Sequence, residues 1–404
     1  MDKNDYINST DCPEFGSCGG CKYLDIPYEQ ELQIKKDEVV ELLRGYLIGN
    51  TGKPLSEALN IVPSPSSSGY RNKMELSFGD DGPGGTLALG IRKRGRFYEV
   101  AIPSKCALIP DDFKAITMAT LEHFRETGET FYHRKRHTGS LRYLVLRRGE
   151  FTGELLVNLV TTSALSDLDD KWSDKICGLS LQGKIAGILH TVSDSKSDAV
   201  VPEDVRLLYG RSHFYEKICS LTFEVSAFSF MQTNSAGAEL LYNTVREYAA
   251  GDNGEEKVGR VYDLYCGTGT IAQILAPLAE EVIGVELVPE AIEAAKKSAE
   301  ANRLHNCRFI AGDVLKVMID KKGEQPDVLV LDPPRDGIHP KAIGPLVALN
   351  APKVVYVSCK PKSLARDLPV FYDAGYRIEG LRLHDMFPRT GHVEAVVLLC
   401  RGDT

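Results

Sequence analysis

The second half of the chain alternates short apolar runs with segments of helical character, and this alternation limits the folds available to it. The runs occupy residues 261–264, 282–285, 307–310, 328–331, 354–357 and 393–399. Helical segments such as 289–302 separate the runs, and strands that alternate with helices form a doubly wound parallel sheet. We therefore predict an α/β domain over residues 226–404, with its last strand antiparallel and 252–257 as a surface loop before the first strand.

Residues 60–225 have a different texture, in which short alternating runs are separated by turn residues. The runs 141–147 and 155–160 flank the segment 148–153, which contains two glycines, and this arrangement is typical of a β-hairpin. The pattern predicts a mostly antiparallel β domain, which we assign to residues 1–225.

Ahead of that region, the sequence predicts one long helix. Leu32, Val39 and Leu42 recur at helical spacing among charged residues, which favours a helix over 28–48. The segment 28–60 is a candidate to pack on the second domain rather than on the first.

The composition is that of a globular enzyme. The chain has 404 residues, of which 43% are hydrophobic and 26% charged. Residues 1–10 lack the apolar core of an export signal, and no stretch reaches the length of a membrane span, so we expect a cytoplasmic protein. Ten unevenly spaced cysteines then suggest reduced thiols that bind metal or take part in catalysis, rather than disulfides.

Two basic clusters stand out in a chain whose formal net charge is −8. One spans 92–96, and the other spans 133–148 and includes Arg134, Arg142 and Arg147. Nucleic-acid phosphates are bound by a local patch of cations, whatever the net charge of the whole chain. The clusters therefore predict a nucleic-acid platform on the β domain, although each charge taken alone is also consistent with a solvated strand face.

Cys12, Cys18 and Cys21 lie close together in a glycine-containing segment, and Cys106 is the candidate for a fourth ligand. Thiolates at this spacing bind a soft metal or an iron-sulfur cluster. Structural zinc and unligated thiols are the alternatives. Zinc sites usually use paired Cys-x2-4-Cys units, and only Cys18 and Cys21 form one, so the three-plus-one spacing favours a 4Fe-4S cluster.

The segment 261–272 follows the first strand of the α/β domain and opens a helix, where such sheets bind a nucleotide. Its glycines, Gly267 and Gly269, also fit a dinucleotide fingerprint, which is a weak signal when taken alone. Four successive strands, however, end near a carboxylate: Asp263, Glu286, Asp313 and Asp332. Acidic residues suit the sulfonium and ammonium of S-adenosylmethionine better than they suit a pyrophosphate, which needs helix N-terminal amides.

Cys359 closes the apolar run 354–357 and is followed by Lys360 and Pro361. A cysteine at the end of a buried strand is more often a small core residue than a nucleophile. Glu394 interrupts the apolar run 393–399, so its carboxyl should be buried and its pKa raised, which suits a general base.

Five segments together resemble the ordered motifs of the RNA uracil-C5 methyltransferases: 228–234, 263–270, 332–337, 358–367 and 391–394. The amino-terminal cysteines resemble the iron-sulfur subgroup of that family, which acts largely on 23S ribosomal RNA. Segments 70–73 and 137–142 fit the middle domain of the subgroup. The resemblance implies transfer of a methyl group from S-adenosylmethionine to C5 of a uridine that is flipped out of a single-stranded RNA loop.

The resemblance also implies a role for each motif residue. Cys359 would be the nucleophile that adds to C6, and Glu394 the base that removes the C5 proton. Gln232, Tyr265, Glu286 and Asp332 would bind the donor or frame the base, with Asp313 near the adenine. Cys12, Cys18, Cys21 and Cys106 would hold the cluster.

The chain departs from the family pattern in three places. Lys360 replaces the usual Asn of the nucleophile motif, and its charge is a candidate to lower the thiol pKa. Thr270 stands where many members have Asn. Because the cysteine motif starts at Cys12, we also expect the small RNA-binding barrel that many members carry ahead of the cysteines to be missing. Alternatives are therefore a transfer RNA substrate, another base or a protein as acceptor, or an iron-sulfur RNA-binding protein without turnover.

Overall fold

The structure is a computed structural model that describes residues 11–47, 59–197, 200–250, 257–320 and 325–402. The predicted surface loop at 252–257 lies outside these ranges except for residue 257, and residues 1–10 also lie outside them. Among the described residues, no helix is both long and apolar enough to cross a membrane.

The described chain forms the following elements. The strands are β1 (Ile61–Val62), β2 (Lys73–Asp80), β3 (Leu87–Arg92), β4 (Val100–Ala101), β5 (Leu141–Arg148), β6 (Glu154–Thr161), β7 (Lys184–Val192), β8 (Asp204–Gly210), β9 (His213–Ile218), β10 (Leu221–Ser226), β11 (Val258–Leu264), β12 (Ala279–Glu286), β13 (Cys307–Ala311), β14 (Val328–Leu331), β15 (Lys353–Ser358), β16 (Tyr376–His384) and β17 (Glu394–Arg401). The helices are α1 (Tyr28–Leu43), α2 (Asp111–Thr127), α3 (Lys171–Cys177), α4 (Ser235–Ala249), α5 (Thr270–Leu275), α6 (Pro289–Ala301), α7 (Val314–Asp320), α8 (Pro340–Val347) and α9 (Pro361–Asp373).

The larger sheet has eight strands in the order β1-β16-β17-β15-β14-β11-β12-β13. Strands β11 to β15 are parallel, and β17 runs antiparallel to both β15 and β16. The predicted α/β class with an antiparallel last strand is therefore confirmed. The sequence did not predict β16, in which arginines, a glutamate and a glycine interrupt the apolar residues.

Apolar side chains of this sheet pack into two cores, one on each face. Tyr356 packs into the core that α1, α7, α8 and α9 cover, whereas its neighbours Val355 and Val357 pack into the core beneath α4, α5 and α6. Successive residues of a strand point to opposite faces, so a strand buried on both faces reads as an unbroken apolar run. This explains why the runs, and not an alternating pattern, predicted these strands.

The second sheet has seven strands in the order β4-β3-β2-β5-β6-β7-β8. Every pairing in it is antiparallel except β6 with β7, and the predicted hairpin at 141–160 is formed by β5 and β6. Helices α2 and α3 cover one face, where Trp172 is fully buried and donates to the Thr120 hydroxyl at 3.2 Å. The predicted mostly antiparallel β region is therefore present.

Helix α1 and strand β1 contribute to the eight-stranded sheet although they precede the antiparallel region. Val39 and Leu43 of α1 lie in the core beneath α9, and β1 pairs in parallel with β16. The predicted helix over 28–48 begins as expected, but it ends at Leu43 and continues as a 3₁₀ turn over Arg44–Tyr46. The division of the chain at residue 225 stays a prediction.

A buried ion cluster joins α1 to the segment 385–392, which leads into β17. The Lys35 ammonium donates to Glu31 Oε1 and to Asp385 Oδ1, each at 2.7 Å, and the side chains of all three residues are at most 1% exposed. Tyr28 donates to Asp385 Oδ2 at 2.7 Å, and the backbone N–H of Arg389 donates to Glu31 Oε1 at 2.7 Å. This cluster fixes the backbone that precedes Glu394.

Replacing Lys35 with methionine should destabilise the fold strongly. The substitution leaves the buried carboxylates of Glu31 and Asp385 without their shared ammonium, and removing one partner of a buried ion pair costs about 3–5 kcal/mol. Urea unfolding curves would measure the loss. The partly exposed neighbour Lys36 is the control, because a Lys36→Met change should shift the unfolding free energy by no more than about 0.5 kcal/mol. Equal stability of the two variants would contradict the expectation.

Candidate active site

A cleft of about 1050 Å³ opens where the parallel strands of the larger sheet end. Carboxyl ends of parallel strands meet at one edge of the sheet, which is where open α/β sheets bind their ligands. The seven residues predicted for catalysis and donor binding all line this cleft: Gln232, Tyr265, Glu286, Asp313, Asp332, Cys359 and Glu394. They come from seven separate segments of the chain, which the fold brings together.

Cys359 follows the last residue of β15 and is half-buried at the start of the turn into α9. Burial, together with the carboxyls of Glu394 and Asp332, raises the pKa of the Cys359 thiol to about 11, whereas the Arg335 guanidinium lowers it. The thiol is therefore protonated at neutral pH in the free protein. Its activation requires additional positive charge or the loss of a neighbouring negative charge.

Glu394 is the first residue of β17 and is only 4% exposed. Burial and the Asp332 carboxyl raise the pKa of Glu394 to about 8, against the lowering effect of Arg335. The raised pKa agrees with the expectation from its place in an apolar run. A carboxyl with such a pKa can accept a proton near neutrality.

Two further carboxyls lie at the ends of adjacent strands. Burial raises the pKa of Asp332 to about 7, and burial with the charge of Asp332 raises the pKa of Asp263 to about 8. Asp263 Oδ2 accepts from the Ala272 N–H at 2.8 Å, which ties β11 to the first turn of α5. Asp332 lines the cleft. Asp263 is fully buried, and its bond to Ala272 stabilises the loop between β11 and α5.

The loop after β14 is held by α9. The Ser363 hydroxyl donates to the Arg335 carbonyl at 2.8 Å, and Asp367 Oδ2 accepts from the Ile338 N–H at 2.9 Å. Gly337 has a φ of 75°, and a Cβ there would lie 2.7 Å from the Asp367 carboxylate. Only glycine fits this position. The helix that begins two residues after Cys359 thus sets the position of Asp332 and Arg335.

The loop after β11 has an uncommon backbone conformation at Tyr265. Tyr265 has a φ of 66°, which is uncommon for a residue with a side chain and is often found at functional sites. The Glu286 carboxylate accepts from the Gly267 N–H at 3.2 Å and from the Val288 N–H at 3.0 Å. Asp313 accepts from the Lys316 N–H at 3.1 Å and so caps α7. These bonds hold the carboxylates of Glu286 and Asp313 at the cleft wall.

Gln232 enters the cleft from a loop that is anchored at its far end. Asn234 caps α4 by accepting from the Gly237 N–H at 2.9 Å, and its amide donates to the Met386 carbonyl at 3.0 Å. The Gln232 carbonyl accepts from the Asn72 amide at 3.1 Å. Residues next to both sheets, Asn72 before β2 and Met386 after β16, therefore hold this loop in place.

Two residues of the cleft received no role from the sequence. The Arg335 guanidinium lies 3.3 Å from the ring nitrogens of His392, and both residues line the cleft beside Cys359 and Glu394. Arg335 belongs to the motif 332–337 identified in the sequence, and that motif was the available signal. The Lys360 ammonium lies 4.0 Å from Asp336, and the cation seen to lower the pKa of Cys359 is Arg335. The effect expected of Lys360 stays a prediction.

Part of the second basic cluster has a structural role. Arg147 is 1% exposed and donates to the Ser226 carbonyl at 2.8 Å, and Arg142 is 4% exposed and donates to the Ser197 carbonyl at 3.0 Å. Buried guanidiniums that bind backbone carbonyls cannot also bind phosphate. The RNA platform expected at 133–148 therefore narrows to Arg134–Arg136, where Lys135 and Arg136 are exposed and Arg134 is half-buried.

A second cavity is lined by Cys12, Cys18, Cys21 and Cys106. Burial, with the thiols of Cys106 and Cys18, raises the pKa of Cys21 to about 12. The convergence of four soft donors suits a metal or cluster. In the described part of the chain, however, no group of three or more His, Cys, Asp or Glu residues has the spacing that holds a metal ion. The cluster stays a prediction.

Comparison with known proteins identifies the family. A protein of Clostridium tetani named as an uncharacterized RNA methyltransferase is 46% identical over 393 residues, which cover 97% of this chain and 84% of that protein. An RNA methyltransferase of Caldanaerobacter subterraneus subsp. tengcongensis is 45% identical, over 99% of this chain and 86% of that protein.

Similarity also extends to a solved structure and to a family profile. The Pyrococcus abyssi tRNA (uracil-54, C5)-methyltransferase, in complex with S-adenosyl-L-homocysteine, superimposes with a TM-score of 0.76 at 28% identity, over 95% of this chain and 86% of that one. Residues 148–402 match the profile described as tRNA (uracil-5-)-methyltransferase. The chain therefore belongs to the tRNA (uracil-5-)-methyltransferase family.

Proposed function

We propose that this protein transfers a methyl group from S-adenosylmethionine to C5 of a uridine in RNA through a covalent adduct between Cys359 and C6. The observation that carries the proposal is the convergence of Cys359, Glu394, Asp332 and Arg335 in one cleft, which Glu286 and Asp313 also line. This list contains a nucleophile, a base and a cation, which are the groups that the reaction requires.

Each step of the proposed reaction has a group to perform it. The Cys359 thiolate adds to C6, and the electron pair of the C5–C6 bond moves onto C5 and the O4 enolate. C5 then attacks the methyl carbon, and the donor leaves as S-adenosylhomocysteine. Glu394 removes the C5 proton, and the returning electron pair expels the Cys359 thiolate from C6.

Arg335 supports both protein groups in this scheme. Its guanidinium lowers the pKa of Cys359 and of Glu394 and thereby favours the reactive anion of each. In the free protein this effect is outweighed by burial, so we assign the remaining activation to the bound donor, whose sulfonium adds positive charge to the cleft. The side chains of Glu286 and Asp313 would bind the hydroxyls and adenine of that donor.

The proposed donor and acceptor also draw on the solved relative. The P. abyssi enzyme was solved with S-adenosyl-L-homocysteine, the product that donation of a methyl group leaves. That relative is named for a transfer RNA substrate, which makes transfer RNA the second candidate. We favour 23S ribosomal RNA, because the chain carries the amino-terminal cysteines that resemble the ribosomal subgroup.

Nucleoside analysis tests the reaction and the substrate together. The protein is incubated with labelled donor and, in parallel, with 23S ribosomal RNA and transfer RNA from a strain that lacks the gene. Labelled 5-methyluridine in the ribosomal sample supports the proposal, and label only in transfer RNA supports the second candidate. Another labelled nucleoside, or label in protein alone, would overturn the proposal.

The reaction should become faster as the pH rises from 6 to 9. Cys359 and Glu394 act in their deprotonated forms, and both pKa values lie above the usual range, at about 11 and about 8. Lowering the pH therefore protonates both groups. Single-turnover methylation with saturating donor would measure the profile, with affinity for S-adenosylhomocysteine at each pH as the control. A rate that falls above pH 7 while binding stays constant would contradict the assignment.

We also propose that Cys12, Cys18, Cys21 and Cys106 hold a 4Fe-4S cluster with a structural role. The four cysteines line one cavity. The segment that carries Cys21 is bonded to the segment 385–392, because the N–H groups of Lys22 and Tyr23 donate to the Arg389 carbonyl at 2.7 and 3.1 Å. The methyl transfer itself needs no electron, so we assign to the cluster the role of fixing the position of the segment 385–392.

Anaerobic purification should give a brown protein with about four irons and four sulfides per chain. Cys21→Ser should lose most of that iron, because it removes one of the four proposed thiolate ligands. The exposed Cys177 lies outside the cavity, so Cys177→Ser is the control and should keep the iron. Stoichiometric zinc in place of iron would show that the assignment is wrong.

A further inference from the structure

Two loops of the antiparallel sheet bring an unusual mixture of rings and cations to one surface. The first loop, residues 92–99, joins β3 to β4, and the second, residues 131–138, precedes β5. Together they contain seven Lys or Arg residues and one acidic residue, Glu99, in a chain whose net charge is −8. They also contain Phe97, Tyr98, Phe131 and Tyr132.

Phe97 occupies the centre of this surface, and its ring is 50% exposed. The Arg92 and Arg134 guanidinium carbons lie 5.6 and 5.3 Å from the centre of that ring, within the range of a cation–π interaction. Tyr98 packs edge-on against Phe97, with ring centres 4.9 Å apart. The ring is therefore held in place although half of it faces solvent.

The support beneath Phe97 is built from rings of both loops. Tyr98 stacks on the His133 ring at 4.3 Å and contacts Phe131 at 5.9 Å, which joins the two loops. Residues of both loops line one small cavity between them, including Arg92, Arg134 and Tyr132. A single exposed apolar residue needs no explanation, but an exposed aromatic ring with two guanidiniums within 6 Å of its centre forms a binding surface.

An unpaired nucleotide matches this surface in shape and in charge. Its base can stack on the exposed face of an aromatic ring or on a guanidinium plane, and its phosphate attracts the nearby cations. Stacking of this kind tolerates any base, since each base has a flat π-face.

The surface also contacts the amino-terminal segment 17–23, which is bonded to Arg389 near the catalytic cleft. The Arg94 N–H donates to the Ser17 carbonyl at 2.8 Å, and Cys18 forms a β-bridge with Lys93. The same amino-terminal segment bonds to Arg389 a few residues later. An RNA strand that reaches both Phe97 and Cys359 would therefore run along this segment.

From these contacts we propose that Phe97, with Arg92 and Arg134 beside its ring, is a stacking site for an unpaired base of the RNA, outside the catalytic cleft. The proposal rests on the RNA methyltransferase function proposed above. In this proposal the two loops bind the RNA strand that flanks the modified uridine.

Binding of a fluorescein-labelled single-stranded oligouridine of 20 nucleotides tests the site apart from methylation. Phe97→Ala should weaken the affinity by about ten-fold or more, which is the effect of losing one stacking interaction, and Phe97→Trp should retain it. Phe151, exposed to 46% in the β5–β6 turn, supplies the control, because Phe151→Ala should bind like the wild type. Affinity for S-adenosylhomocysteine should be unchanged in all three variants.

Methylation of a substrate RNA should then show a raised KM for RNA in Phe97→Ala and an unchanged kcat, because the ring touches no reacting atom. Equal RNA affinity of Phe97→Ala and the wild type would overturn the stacking site, as would the absence of binding by the wild type. Phe97-dependent binding without any 5-methyluridine would count against the proposed reaction and leave the stacking site standing.

Discussion

Replacing Cys359 with alanine is expected to abolish methyl transfer and leave donor binding intact. Without the thiolate no adduct forms at C6, and C5 of uracil is too weak a nucleophile to attack the donor directly. Loss of a covalent nucleophile lowers turnover by at least about 10³-fold. Release of labelled methyl into RNA measures the rate, and S-adenosylhomocysteine binding confirms that the fold is retained.

A second readout identifies the adduct itself. RNA that contains 5-fluorouracil cannot lose a proton from C5, so the wild-type protein should stay covalently attached to it through C6. The Cys359→Ala variant should give no such complex in a denaturing gel. Cys219→Ala is the matched control and should still form the complex. Burial raises the pKa of the Cys219 thiol to about 11, as it does for Cys359, but Cys219 does not line the cleft. Trapping by Cys359→Ala would show that another group is the nucleophile.

The Glu394→Gln variant is expected to stop the reaction at a later stage. The amide cannot accept the C5 proton, so the methyl group is transferred but the thiolate cannot be expelled. Turnover should fall by about 10²–10⁴-fold, the usual contribution of a general base. A covalent complex with ordinary uridine RNA, which carries the labelled methyl group, should accumulate in denaturing gels.

The double variant Cys359→Ala/Glu394→Gln is the control for that complex and should not form it. The Gln variant should also be at least as stable as the wild type. Burial raises the pKa of Glu394 to about 8, so the ionised carboxylate is the unfavourable form in the folded protein at higher pH, and a neutral amide removes that penalty. Normal turnover by Glu394→Gln would show that the base lies elsewhere.

The sequence was most informative where one physical constraint dominates. Strand β14 is buried at all four positions, so its residues are apolar without exception, and a parallel sheet follows from several such runs. Strand β16 has one face toward polar surroundings, so Arg377, Glu379 and Arg382 obscured it. The pairing of β1 with β16 joins residues more than 300 positions apart, and no local pattern encodes such a contact.

Charged residues were harder to interpret from the sequence, because a formal charge carries no information about burial. Arg147 was expected at an RNA surface and instead binds backbone carbonyls inside the protein. Lys360 was expected beside the thiol because it is adjacent in the sequence, whereas its side chain extends toward Asp336. Arg335 lies 24 residues before Cys359 and supplies the cation that influences the thiol, which only the folding of the loop reveals.

The ion cluster of α1 has a consequence for how the protein is made. Lys35 and Glu31 leave the ribosome 350 residues or more before Asp385 and Arg389. Until those later residues are made, α1 and β1 lack the partners that they need for burial, and contacts of such sequence separation form slowly. A nascent chain that ends before residue 385 has neither Asp385 nor Glu394, so docking of α1 and completion of the catalytic site should occur together, once the segment 385–394 has been made.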